Sequence, residues 1–207
     1  MRYLFLLITC FTFLHAGLED LPAPYCNLPE LLPFDSQGGY VNHKYLEPLI
    51  KKKKVKVIIE VGSWLGASTR DFASMIPSDG KVYAVDHWQG SPIQSGNEQL
   101  FNIYDQFLSN VIHAGLTDKI VPIQMNSICA SCYLQGMQAD LIYIHASHNG
   151  QSILEDLEAW YRFIKNHGVF CGDNWGYPGV KVDVKKFAAK HKLKITHESD
   201  SFWRLKK

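Results

Sequence analysis

Residues 55–69 constrain this chain more than any other stretch. Val55, Val57, Ile58, Ile59 and Val61 form a mainly β-branched run, the composition of a strand covered on both faces, as in the middle of a parallel sheet. The run passes through Glu60 and then turns at Gly62 and Gly66, residues that permit a tight turn and a close approach of backbone to a bound group. Ser68 and Asp71 have the spacing of a capping box, which predicts a helix beginning near Thr69 or a few residues earlier. Unpaired N–H groups at such a start favour an anion or the polar end of a cofactor. The segment Gly62-Ser63-Trp64-Leu65-Gly66 lacks the middle glycine of the dinucleotide fingerprint, and no Gly-Lys-Ser/Thr follows. The pattern therefore favours a nucleoside cofactor over a nucleoside triphosphate.

The alternation continues along the chain. Strands are predicted over residues 81–86, 119–124, 140–144 and 168–172, with two more in residues 193–205 joined by a tight turn. Helices are predicted over residues 40–50, 97–112, 128–137, 152–164 and 180–191, with Asn97 as the cap of the second and Ser152 with Glu155 as a capping box for the fourth. Pro122 removes a ladder donor and argues for an edge position or a local irregularity in the third strand. The expected fold is α/β: a single Rossmann-like three-layer domain with a mostly parallel central sheet and an antiparallel C-terminal edge contribution.

Three segments are expected. Residues 1–16 read as a signal peptide, with Met1-Arg2, an apolar run from Tyr3 to Phe13, and Leu14-His15-Ala16 before Gly17. Residues 17–39, with Pro22, Pro24, Pro29 and Pro33, read as an extended N-terminal arm. Residues 40–207 form the domain. The apolar run is shorter than a bilayer span, and no later stretch qualifies as one. The expected location is outside the producing cell, with the cytoplasm as the alternative. A formal charge of +1 gives no electrostatic case for nucleic acid, and Lys51 to Lys54 read as a solvated strand entry. Cys129 and Cys132 are three apart, the spacing of one helix face. No second pair or strand-to-helix redox context accompanies them, so ordinary buried or half-buried thiols are expected there over a redox pair. No repeat, heptad or low-complexity tract is present, and no feature sets an oligomeric state.

The chemistry gathers after strand ends, where open parallel sheets present ligands. Asp86 can accept hydrogen bonds from a ribose diol, His87 and Trp88 follow it, and Asn126 and Ser127 follow the third strand. His145 and His148 follow the fourth, and Asp173 and Asn174 the fifth. Imidazole, carboxylate and amide oxygen together suit a borderline divalent ion, which would acidify and orient a substrate hydroxyl. Ser147, His148 and Asp173 are hydrolase residue types, but no nucleophile elbow accompanies them.

In this order and spacing, Glu60-Val61-Gly62-Ser63-Trp64-Leu65-Gly66, Val82-Tyr83-Ala84-Val85-Asp86-His87-Trp88, Asp140-Leu141-Ile142-Tyr143-Ile144-His145 and Gly172-Asp173-Asn174-Trp175 resemble the class I S-adenosylmethionine-dependent methyltransferases. The likeness spans about residues 40–205 and leans toward small metal-assisted O-methyltransferases and the cephalosporin-hydroxylase-like branch. The resemblance implies Glu60, Gly62, Ser63 and Gly66 at the methionine end of the cofactor, and Asp86 on the ribose. It places His87 or Trp88 beside the adenosine and Asn126-Ser127 near the base. It implies Asp173 and Asn174 as metal ligands with His145 where such members carry an acidic residue, and His148 as catalytic base. The expected function is O-methylation of a small hydroxylated substrate with a divalent metal. The histidine at 145 motivates an alternative, an exported noncatalytic ligand-binding or interaction protein on the same fold.

Overall fold

We describe the chain from a computed structural model, over residues 17–90, 102–145 and 150–207. Seven strands form one sheet in the order β3-β2-β1-β4-β5-β7-β6. They are β1 (Val57–Val61), β2 (Lys81–Asp86), β3 (Ile120–Gln124), β4 (Ala139–Ile144), β5 (Ile164–Asp173), β6 (Lys194–Ser199) and β7 (Phe202–Lys206). The first five pair in parallel, while β7 runs antiparallel to both β5 and β6. The mostly parallel sheet with an antiparallel C-terminal edge is the expected architecture. Pro122 sits in β3, at the edge of the sheet, where a missing ladder donor is tolerated.

The apolar residues divide by pleat parity into two cores. Ile58, Val82, Ala84, Tyr143 and Cys171 face one core, shared with Leu46 and Ile50 of α1 (His43–Lys53), Phe72 of α2 (Ala67–Met75) and Phe107 of α3 (Ile103–His113). Ile59, Val61, Val85, Ile144 and Phe170 face the other. That face is covered by Ala130 of α4 (Ser127–Tyr133), Leu157 of α5 (Gly150–Trp160) and Phe187 of α6 (Pro178–Lys190). Burial on both sides explains why β1 and β4 read as continuous apolar runs rather than alternating ones.

Two local expectations change. Helix α2 begins at Ala67 after Gly66, whose φ of 80° supplies the left-handed turn, and Ser68 does not cap it. The Ser68 hydroxyl donates to Glu60, and Asp71 meets His43 Nδ1 at 2.9 Å. A buried carboxylate needs donors more than the first turn of the helix does. The arm is also less detached than its prolines suggest. Tyr25 is buried and donates from its hydroxyl to the Ile120 carbonyl at 2.9 Å. Farther along, Leu32 N–H meets Ser109 Oγ at 3.0 Å and Asp35 N–H meets Asn110 Oδ1 at 2.9 Å. Asn97 lies outside the described residues, and so does the side chain of Ser152.

Candidate active site at the carboxyl ends of the strands

The register aligns four positions across the sheet. Val61 lies opposite both Val85 and Ile144, and Ile144 lies opposite Gly172. One step further along each strand therefore gives the row Asp86, Gly62, His145, Asp173. The His145 N–H extends the ladder to the Val61 carbonyl at 2.7 Å, and the Gly62 N–H reaches the Val85 carbonyl at 2.8 Å. Alternation puts all these side chains on the α1–α3 face, with Glu60 on the same face one pleat below. Gly62, at φ 91°, leaves no side chain between Asp86 and His145. Neighbouring strands are about 5 Å apart, so Asp86 and His145 stand about 10 Å from each other across that gap.

Glu60 is fully buried. Its carboxylate accepts from the hydroxyls of Ser63, at 2.9 Å, and of Ser68 and Thr69. Burial raises its pKa against the opposing effect of these hydroxyls. Glu60 and Ser63 thus brace the glycine turn from within. Asp86 braces it from β2: one carboxylate oxygen accepts the N–H groups of Ser63 and Trp64, both at 2.9 Å, and the other accepts that of Trp88 at 2.8 Å. A carboxylate has about four acceptor positions, so one remains for a ligand hydroxyl.

His87 is exposed, with Nδ1 3.9 Å from Asp86. Of the two residues expected beside the adenosine, His87 or Trp88, Trp88 turns inward. Its ring packs on Tyr104 and Phe107 at 4.8 and 4.7 Å between centroids, and its Nε1–H donates to the Trp64 carbonyl at 2.7 Å. Desolvating so large an indole favours the core over a solvent-facing wall. Asn126 caps α4 by accepting the Cys129 N–H at 2.9 Å. The Ser127 hydroxyl donates to buried Asp156 and accepts from Trp160 Nε1 at 2.7 Å, so it is held beneath α5.

His145 and Asp173 meet directly, Nε2 to Oδ2 at 2.9 Å. The Asn174 amide donates to the other Asp173 oxygen at 2.9 Å, and Asn174 itself sits at φ 59°, a strained backbone typical of functional turns. Burial alone would lower the His145 pKa, but the Asp173, Glu60 and Asp86 carboxylates outweigh it and raise the value. The Nδ1 atom of His145 is buried and has no hydrogen-bond partner among the described residues. This arrangement fits a charge pair better than a ligand shell, because imidazole Nε2 and carboxylate Oδ2 are spent on each other. Among the described residues no three His, Cys, Asp or Glu side chains are grouped to hold a metal ion. His145, Asp173 and Asn174 are brought together, with the Asp173 carboxylate in contact with both of the others. His148 lies outside the described residues.

A family model described as a methyltransferase domain matches residues 59–175, more than half of the chain and the whole span from Glu60 to Asn174. The chain belongs to the methyltransferase domain family. As a member of that family it is an S-adenosylmethionine-dependent methyltransferase. Among solved structures, this methyltransferase is similar to an O-methyltransferase from Bacillus cereus in complex with SAH, at 19% identity and a TM-score of 0.64 over 88% of this chain and 86% of that one. It is also similar to the O-methyltransferase TomG from Streptomyces achromogenes in complex with SAM, at 17% identity and a TM-score of 0.62 over 87% and 83%. A methyltransferase from Geobacter sulfurreducens matches at 14% identity and a TM-score of 0.61 over 82% and 79%. At these identities the likeness is one of fold. No curated protein matches the sequence. Among the described residues no helix is long and apolar enough to cross a membrane.

The sequence missed the residues that brace the site. Asn42 is buried and donates to the Tyr143 hydroxyl at 2.9 Å and the Ser201 carbonyl at 2.7 Å, while accepting from Ser201 Oγ at 2.8 Å. Asn110 is also buried, and its amide donates to the carbonyls of Leu65 and Asp35, both at 2.9 Å, tying the glycine turn to the arm. Each partner is separated from its asparagine by tens of residues, so no local pattern announces these contacts.

Proposed function

We propose that this methyltransferase transfers a methyl group to the hydroxyl of a small molecule bound above His145 and Asp173. The observation that carries this reading is the row Asp86, Gly62, His145, Asp173, with a charge pair at one end and a spare carboxylate acceptor at the other. The residues fit the cofactor: Asp86 has an acceptor position for a ribose hydroxyl, Gly62 leaves room along the row, and the surrounding carboxylates favour a cationic ligand. When bound, S-adenosylmethionine supplies an electrophilic methyl on a sulfonium. Gly62, Ser63 and Gly66 would border its methionine end, with Glu60 acting behind them. The remaining cofactor contacts in this proposal are His87 beside the adenosine and the α4 entrance, at Asn126, near the base.

Asp173 favours the charged form of His145 and fixes the ring through Nε2. Nδ1 has no hydrogen-bond partner among the described residues, and in this proposal the acceptor oxygen becomes its partner once substrate binding opens a path to it. That donation stabilises the oxyanion formed when His148, the proposed base, takes the hydroxyl proton, before the oxygen accepts the methyl and S-adenosylhomocysteine departs. A divalent ion would be held by His145, Asp173 and Asn174 once the His145–Asp173 contact opened to admit it, and would acidify and orient the acceptor hydroxyl.

The test is an acceptor screen with radiolabelled S-adenosylmethionine against catechols, phenols and sugars, run with and without rigorous chelation. The reading predicts label transferred to oxygen, undiminished by chelation. Transfer to nitrogen would overturn the O-methyl assignment. Loss on chelation, restored by a divalent ion, would replace the charge pair with a metal. A protein that binds cofactor without transfer to any acceptor would favour a noncatalytic ligand-binding role.

A further inference from the structure

Methyl transfer leaves the paired cysteines of α4 without a task. Cys129 and Cys132 are both exposed, which corrects the expectation of buried or half-buried thiols. They stand three residues apart in a seven-residue helix, and regular helix geometry sets their Cα atoms about 5 Å apart, inside the window of roughly 4.4–6.8 Å that a disulfide spans. The residues between them are seated: Ala130 and Ser131 are buried, Ser131 Oγ donates to the Ile128 carbonyl at 2.8 Å, and Arg162 donates to the Ser131 carbonyl at 3.3 Å. The two thiols are thus presented together on the outer face of an anchored turn. Cys171, by contrast, is fully buried in the core with its Sγ 3.6 Å from the Ile142 carbonyl.

We propose that Cys129 and Cys132 form a reversible dithiol–disulfide couple that exchanges with low-molecular-weight disulfides such as oxidised glutathione. One cysteine thiolate attacks a glutathione sulfur, forming a mixed disulfide and releasing one glutathione. The second cysteine then attacks the protein-side sulfur of that bond, closing the Cys129–Cys132 disulfide and releasing a second glutathione. Two protein thiols are oxidised, one disulfide is reduced, and the two protons pass to the departing glutathione thiolates.

Closure needs some movement. Helix neighbours at this spacing hold their Cβ atoms about 5–6 Å apart, whereas a disulfide brings them to about 3.8 Å. The helix can yield at its last turn, because α4 ends at Tyr133 and the chain then turns through Gly136 at φ 91°. A bond that is exposed and closed against the helix's own geometry is labile and regulatory in character, not a permanent staple.

The experiment equilibrates the reduced full-length protein in glutathione buffers of increasing oxidised fraction, quenches with acid, alkylates, and maps the peptides by mass. The proposal predicts a peptide containing Cys129 and Cys132 that loses the mass of two hydrogens, in a fraction that rises with oxidised glutathione and reverts with a dithiol reductant. In Cys129→Ser, Cys132 should instead accumulate a stable glutathione adduct, and in Cys132→Ser, Cys129 should do so. Cys171 should stay unmodified until alkylated after the quench, which reports that the core is folded. Wild-type protein that accumulates glutathione on both cysteines, or keeps both alkylatable throughout the series, would overturn the couple.

Discussion

Asp140 and Asp86 use the same device at opposite ends of the sheet. Asp140 accepts the consecutive N–H groups of Lys56 and Val57 at 3.0 and 2.9 Å, and Asp86 accepts those of Ser63 and Trp64 at 2.9 Å. They differ in what meets the second oxygen. Asp140 has Lys165 Nζ at 2.8 Å, whereas Asp86 has the Trp88 N–H at 2.8 Å. Lysine also neutralises Asp79 at the amino end, through Lys56 at 2.5 Å. At the carboxyl end Glu60 and Asp86 are satisfied by hydroxyl and amide donors, and Asp173 by His145 and the Asn174 amide. At the amino end Asp140 and Asp79 are thus each paired with a lysine. The carboxyl end keeps negative potential for a cationic ligand, which suits a sulfonium.

The largest effects are expected at the His145–Asp173 pair. His145→Ala and Asp173→Asn should each lower methyl transfer by about 10²–10⁴-fold, measured as turnover at saturating cofactor. Lys165→Ala, at the other end, should leave turnover unchanged. Equal losses at both ends would mean that the contrast reports stability and not chemistry.

Next comes the bracing behind the row. Asn42→Ala strips partners from the buried Tyr143 hydroxyl and from Ser201, and should cost about 2–3 kcal/mol in urea unfolding. A loss below roughly 0.5 kcal/mol would show that water replaces the amide.

Much of the fold was legible because each strand carries its own signal: the β-branched run of β1, the apolar run of β4, and Pro122 at an edge. The row of site residues was legible for the same reason, since Asp86, His145 and Asp173 each follow a readable strand. Their mutual use was not. Nothing local shows that Asp173 spends an oxygen on His145, that Trp88 swings into the core, or that Ser127 turns toward Asp156 and Trp160. Those outcomes depend on which polar atoms tertiary packing removes from water, a competition settled between distant residues.

Ser127 and Asp156 supply a smaller, pH-dependent test. Burial raises the Asp156 pKa from an ordinary 3.8 to about 6, against the opposing Ser127 hydroxyl. Between those values the folded protein holds a proton that the unfolded chain releases, so this contribution to stability falls as pH rises toward 6 and is absent above it. Asp156→Asn removes a charge whose burial costs up to about 3 kcal/mol, while its amide oxygen can still accept from Ser127. The variant should melt higher than wild type at pH 7.5, above the titration range, and near it at pH 4, close to the lower limit of that range. A gain at both pH values would place the origin elsewhere.

The smallest effect belongs to the amino end. The Asp140 pKa is lowered: burial opposes this, but Lys165 and the two backbone N–H groups prevail. Its contribution is present at neutral pH and is lost as pH falls through that lowered value. Lys165→Ala should cost no more than about 1 kcal/mol, because the pair is half exposed, and high salt should erase most of it. A larger, salt-insensitive loss would make this end more like the other.

The central claim is that the carboxyl end alone holds the cofactor. Calorimetric titration of S-adenosylmethionine into wild type, Asp86→Ala and Asp140→Ala tests it, with each variant's folding checked by its thermal transition. The account predicts one site in the wild type, affinity lowered at least tenfold in Asp86→Ala, which is about 1.4 kcal/mol, and affinity retained in Asp140→Ala. Undetectable binding to the folded wild type, or equal affinity in all three proteins, would contradict it.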